Sequence, residues 1–294
     1  VNAVESPGYT PVFYESITNL AFLAGITNNI RLGAAVLILP YREALVTAKQ
    51  LACVDSLSGG RLELGIGQGA IKSTFNTENE VMNISRMTKV KHTREVFEAM
   101  CEVWAEDSAS FDGEFVKFEG AEVYPKPVQT PRPPIWIGGS AEKSLEMVAD
   151  YADAWLSWGV PADKFPHAIA DISDRLVKRG RDPETFVAGT EIQIYIADTV
   201  ETARNDVTPT MQAFEEGYAG VTGAQNMYAA DPDVLATMWK SSLIGTSDTV
   251  SEELQQYIDA GCTAFELKFI YDNVDQLIEQ WEIFAESVMP HFRG

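Results

Sequence analysis

Residues 190–197 read Thr190-Glu191-Ile192-Gln193-Ile194-Tyr195-Ile196-Ala197, and residues 264–270 read Ala264-Phe265-Glu266-Leu267-Lys268-Phe269-Ile270. In both stretches apolar side chains alternate with polar ones, the period of a β-strand with two unlike faces. The same parity recurs at Arg31-Leu32 and at Arg61-Leu62-Glu63-Leu64. Strands of an open parallel sheet, covered on both faces, should be apolar almost throughout. Polar residues on one parity instead suit the interior of a closed barrel, where opposite charges meet in a layer. An open sheet whose edge strands have one wet face is the other arrangement that fits the pattern.

Outward from these strands, the chain alternates strand and helix from end to end. Further strands are expected at Arg31–Leu39, Arg61–Ile66, Pro134–Gly138 and Ala154–Trp158, making six with the two above. Helical spacing appears at Ser16–Gly25, Glu43–Leu57, Ile84–Ala105, Ser140–Ala152 and Glu252–Ala260. Ser58-Gly59-Gly60 supplies a left-handed stop for the second of these helices. Glu106–Pro133 reads as a loop carrying a hairpin at FDGEFVKF. Thr208–Thr249 reads as helix at Thr210–Glu216 and Asp233–Leu243 around a Gly-rich segment. Repeated strand–helix–strand units mean parallel strands joined by crossover helices. The expected class is α/β, a TIM (β/α)8-type barrel as a single domain over residues 1–294. Six strands are two short of a closed barrel.

A chain of 294 residues, 46% hydrophobic and 22% charged, can bury a core of its own. Its 22 Lys+Arg against 43 Asp+Glu leave a net charge of −21, which repels phosphate backbones and anionic lipid. Neither nucleic acid nor membrane is therefore an expected partner. The three cysteines, Cys53, Cys101 and Cys262, form no CxxC, and a reducing cytoplasm fits them best. His92, His167 and His291 lie far apart, so no metal site is expected. No apolar run approaches the ~18 residues of a membrane span.

Three strand exits can carry chemistry. Pro134-Ile-Trp-Ile-Gly-Gly-Ser140 runs straight into a helix, with Gly138 and Gly139 permitting close backbone approach and Ser140 expected at the N-cap. The N–H groups of that first turn offer an anion site, although a turn that merely caps a helix has the same composition. Leu64-Gly-Ile-Gly-Gln-Gly69 thins the wall beside a strand and can admit a flat ligand, or be only a tight turn. Gly33-Ala34-Ala35-Val36 places small residues inside a bulky strand, as a bulge or a taper would. Trp155 and Trp158 could stack on a ring or simply fill the core, and Glu266 with Lys268 could be acid and base or an internal ion-pair layer.

At these junctions the chain resembles the luciferase-like monooxygenase family, TIM-barrel enzymes that use FMN or the deazaflavin F420. The likeness is carried by Asn29–Arg42 (NIRLGAAVLILPYR), Ala48–Ala52 and Asp55–Gly69 (DSLSGGRLELGIGQG). It continues through Phe111–Phe115, Pro125–Gln129, Pro133–Ser140, Ala152–Trp155, Leu243–Thr246 and Ala260–Cys262.

The resemblance implies that Arg31–Leu39 is the third barrel strand and Ala264–Ile270 the eighth. The domain would then be N-terminally incomplete, in keeping with a start at Val1. It further implies a non-prolyl cis peptide at Ala35–Val36 backing the flavin ring, Gly67, Gln68 and Gly69 near that ring, and Gly138, Gly139 and Ser140 at the cofactor phosphate. The implied activity is oxidation of a small organic substrate with reduced FMN and O2. F420-dependent hydride transfer and a non-catalytic flavin-binding barrel are the alternatives. A homodimer and a separate flavin or F420 reductase are the implied partners. Ala70 stands where many relatives carry an acidic or aromatic residue, and the second strand that bears the acid or base in some of them has no counterpart here. No catalytic residue is assigned.

Overall fold

The computed structural model describes residues 14–69, 80–84, 88–217 and 234–292. Ala70 and the Gly-rich segment after residue 217 lie outside the described residues. The described residues divide into two compact units, the first holding those from 14 to 138 with 150–154, the second 139–149 and those from 155 onward.

In the first unit, β1 (Leu32–Ile38), β2 (Leu62–Gly67) and β5 (Ile135–Gly138) lie parallel in that order. β3 (Ala109–Asp112) and β4 (Lys117–Ala121) make the expected hairpin. Helices α1 (Ser16–Ile26), α2 (Ala44–Ser58) and α3 (Lys89–Ala105) connect and cover the strands. Leu51, Leu62, Leu64, Ile66, Met100, Ile135 and Ile137 are buried between them. Gly59 ends α2 at φ 68°, as the sequence predicts. The Asp55 carboxylate is fully buried and accepts from the N–H groups of Val128 and Gln129 at 2.8 and 3.0 Å, so the motif around it ties α2 to the segment leading to β5. Arg61 leaves the polar layer expected of it. Its guanidinium donates to the carbonyls of Ala24, Thr27 and Ile30, closing the C-terminus of α1.

The second unit contains α4 (Glu142–Tyr151, whose last two residues belong to the first unit), β6 (Ala154–Trp158, whose first residue belongs to the first unit) and β7 (Val187–Ile196). It continues with β8 (Leu243–Gly245) and β9 (Ala264–Phe269). β9 runs parallel to β7 from Gly189↔Ala264 to Ile194↔Phe269, while the three residues of β8 pair only with the end of β7. The helices are α5 (Phe165–Val177), α6 (Val200–Gly217), α7 (Val234–Lys240), α8 (Ser247–Asp259) and α9 (Val274–Ile283). Tyr195, Ala203, Val207, Met211, Met238, Ile244 and Ile270 pack into one cluster. Tyr195 also leaves the expected layer, its hydroxyl meeting Asp206 and Gln276 instead. Ile196, at the end of β7, is completed by a side chain: Gln280 accepts from its N–H and donates to its carbonyl, both at 2.8 Å. The six barrel-type strands predicted are all present, and β8 is an additional short one. The fold is α/β of the TIM-barrel type.

Candidate functional site

In the first unit the site residues gather where β1 and β2 leave register. Ala34 pairs with Leu64 and Leu37 with Ile66, so β1 carries one residue more than β2 across that interval. The Ala35–Val36 peptide inside the bulge is cis, where the resemblance places such a bond. The glycines of β2 make room for it. A Cβ at Gly65 would collide with the Ala34 carbonyl oxygen, and one at Gly67 with Val36 Cγ2. Gly65 and Gly67 therefore answer the close approach of the bulged β1, a reason that neither reading of the GxGxG string names. Ala35 is exposed, and Val36, Gly67, Gln68 and Gly69 are half-buried, so this surface is accessible. Lys89 of α3, itself buried, donates from Nζ to the Gly69 carbonyl at 2.7 Å and fixes the turn.

In the second unit the relevant residues are Gly139 and Ser140, directly after Gly138 in the chain. Gly139 has φ 100°, a conformation that L side chains rarely adopt, and it carries the chain from strand into helix. Two bonds hold it: its N–H donates to the Leu156 carbonyl at 3.3 Å, and Trp155 Nε1 donates to its own carbonyl at 2.9 Å. Trp155 is fully buried and stacks on Phe165, so it belongs to the core, and its polar edge positions the turn. Trp158 packs against the Tyr195 cluster.

Ser140 does not cap the helix as its sequence context suggests. α4 begins at Glu142, and Ser140 Oγ, in a residue only 6% exposed, is buried without a hydrogen-bond partner among the described residues. Glu142 is likewise diverted: Arg175 of α5 grips both its oxygens at 2.9 Å and holds its carboxyl below the usual range. What is left at the head of α4 is a buried hydroxyl, a left-handed glycine and first-turn N–H groups with no preceding turn to serve. Such a place suits an anion with several acceptor oxygens.

The polar layer on the remaining strands also divides by unit. In the first, Arg31 pairs with Glu63, which also accepts from Trp136 Nε1 at 2.7 Å. In the second, Lys268 pairs with Glu191 at 3.3 Å, and Glu266 lies opposite Glu191 in the β7–β9 register. Burial, followed by the charge of Glu191, pushes the Glu266 carboxyl up to about 7, against the pull of Lys268. Sequence reading did not single out Lys89 or Gln193. Lys89 opens α3 next to undescribed residues, and the inward side of Gln193 was legible only as one member of a parity.

A profile of the family described as luciferase-like monooxygenase matches residues 3–264. The chain belongs to this family. Among curated relatives of the luciferase-like monooxygenase chain, an FMNH2-dependent dimethylsulfone monooxygenase of Pseudomonas putida is 25% identical over 95% of this chain and 79% of its own length. A crystal structure of a monooxygenase from Streptomyces bottropensis superposes with a TM-score of 0.78 at 22% identity, over 95% of this chain and 83% of that one. An F420-dependent secondary alcohol dehydrogenase bound to an F420–acetone adduct gives 0.75 at 17% identity, over 96% and 85%. These likenesses to solved structures concern the fold. Among the described residues no helix of this luciferase-like chain is long and apolar enough to cross a membrane.

Proposed function

We propose that the chain is a flavin-dependent monooxygenase that oxidises a small organic substrate with reduced FMN and O2, the flavin being reduced by a separate reductase. The observation that carries this reading is the buried, unpartnered Ser140 Oγ beside Gly139 at the head of α4. A phosphate monoester supplies acceptors for this hydroxyl and for the N–H groups ahead of Ser144, whose own N–H goes to the Ala141 carbonyl at 2.8 Å. Gly138, Gly139 and Ser140 are proposed to hold the cofactor phosphate. Ala35, Val36, Gly67, Gln68 and Gly69 are proposed for the ring, on the accessible surface where the bulged strand meets its facing glycines. The curated relative named for FMNH2 supports FMN over F420.

Bound reduced FMN would supply the activation of O2; the protein's part is to bind, orient and exclude water. Lys89 would keep the Gly67–Gly69 turn in place through the Gly69 carbonyl, and Trp155 would do the same for Gly139. The test is calorimetric titration with FMN and F420 separately. FMN should bind, Ser140→Ala should weaken it about tenfold, the worth of one charge-assisted hydrogen bond, and Gly139→Asp should abolish it. Selective binding of F420 would move the reaction to hydride transfer. Binding of neither would overturn the flavin reading.

A further inference from the structure

One cluster of the second unit has no part in the function proposed above. β7 and β9 place Glu191 opposite Glu266 and Gln193 opposite Lys268, so the four side chains share one face of the strand pair. Lys268 is engaged with Glu191 at 3.3 Å. The carboxylate of Glu266 is then the charge on this face without an ion pair of its own among the described contacts. Two acceptors here are buried without a partner among the described residues, Glu266 Oε2 and Gln193 Oε1, and Gln193 is only 7% exposed. Buried polar atoms without partners are rare in folded proteins, and two at neighbouring register positions are acceptors that a ligand's hydrogen-bond donors would fill. Two carboxylates against one ammonium give the patch a net negative charge, so the complementary ligand brings positive charge as well as N–H groups.

We propose that Glu266 and Gln193 form a recognition site for an amine in its ammonium form, one N–H of which goes to Glu266 Oε2 and another to Gln193 Oε1. Calling that amine the organic substrate rests on the monooxygenase reading; its binding does not. The unusual proton affinity of Glu266 has the same origin, since burial and Glu191 disfavour its charge and Lys268 only partly offsets them. An arriving ammonium stabilises the carboxylate, so binding near neutral pH releases a proton from Glu266. Among the described residues, Glu191 from β7 and Lys268 from β9 are the charged groups acting on it.

The test needs no flavin. n-Butylamine and n-butanol, matched in size, are titrated calorimetrically into the wild-type protein at neutral pH, in two buffers that differ in ionisation enthalpy. The amine should bind at least about tenfold tighter than the alcohol, the scale of one partly buried charge interaction, with proton release to buffer. Glu266→Gln should remove both the preference and the proton release, and Gln193→Leu should weaken the amine alone. Circular dichroism and a separate FMN titration establish that each variant is folded. Equal affinity for amine and alcohol in the wild type, a comparison that needs no variant, would overturn the proposal, as would a preference that survives in Glu266→Gln. Loss of FMN binding with the amine preference intact would instead count against the flavin reading.

Discussion

Gly65 and Gly25 are chemically identical and physically unlike. A Cβ at Gly65 meets the Ala34 carbonyl, backbone that cannot swing aside, whereas one at Gly25 in α1 meets nothing within 4 Å. Gly65→Ala should therefore cost about 3 kcal/mol through overpacking, and Gly25→Ala should gain about 0.5 kcal/mol by restricting the unfolded chain. Urea midpoints of the two variants moving in the same direction would contradict this account of the bulge. Glu266 makes a prediction of a different kind. Its carboxyl is raised from 4.5 to about 7 in the folded protein, so its favourable contribution is complete below pH 4.5 and is lost as pH rises through 7. Glu266→Gln cannot ionise. Relative to wild type it should become more stable by roughly 2 kcal/mol between pH 5 and pH 8, read as the change in the difference of urea midpoints. The thiols of Cys101 and Cys262 are pushed up to about 11 and 12 by burial. Iodoacetamide at pH 8 should leave both unmodified in the native protein and label them in urea. At this scale the glycines of the candidate site were visible in the sequence, but their reason was not. Which glycine faces a backbone oxygen and which faces open space is decided across strands, and a linear string holds no such distance.

Helices and strands were legible to the degree that their periodicity was long and unbroken. α2 and α3 show their buried stripes over fifteen and seventeen residues, and β7 shows its alternation plainly. α5 is absent from the sequence reading although Phe165, Ala168, Ile172 and Leu176 are spaced as a helix requires, and Pro166 sits in its first turn, where it is tolerated. α6 was read only in part because Pro209 interrupts it, and β8 is too short for any period to show. α9 could not be foreseen in its most informative role, the Gln280 amide serving as the partner of Ile196. Gln280→Leu should leave both backbone groups of Ile196 unpaired in a buried place, at a cost of about 2–4 kcal/mol. Hydrogen exchange at the Ile196 amide should accelerate accordingly; unchanged protection would mean that another group takes over.

For the molecule as a whole, the charge of −21 sets a background against which any phosphate ligand must bind. Screening weakens that repulsion, so the association rate of FMN should rise with added salt in stopped flow, the reverse of a basic phosphate-binding protein. A rate that falls with salt would point to a local positive field strong enough to outweigh the total. The α/β class and the strand sequence were readable at this scale because parallel strands and crossover helices leave a repeating imprint. The cis bond between Ala35 and Val36 followed only from family likeness, since no side-chain pattern announces a peptide isomer. Trp155 carries one further consequence. Its indole is shielded from water and bonded to the Gly139 carbonyl, one residue from the Ser140 hydroxyl. An anion arriving at that turn alters the electric field across the indole and shifts the colour of its emission. The protein thus holds a native optical gauge of the turn proposed to take the cofactor phosphate, readable without dye or label.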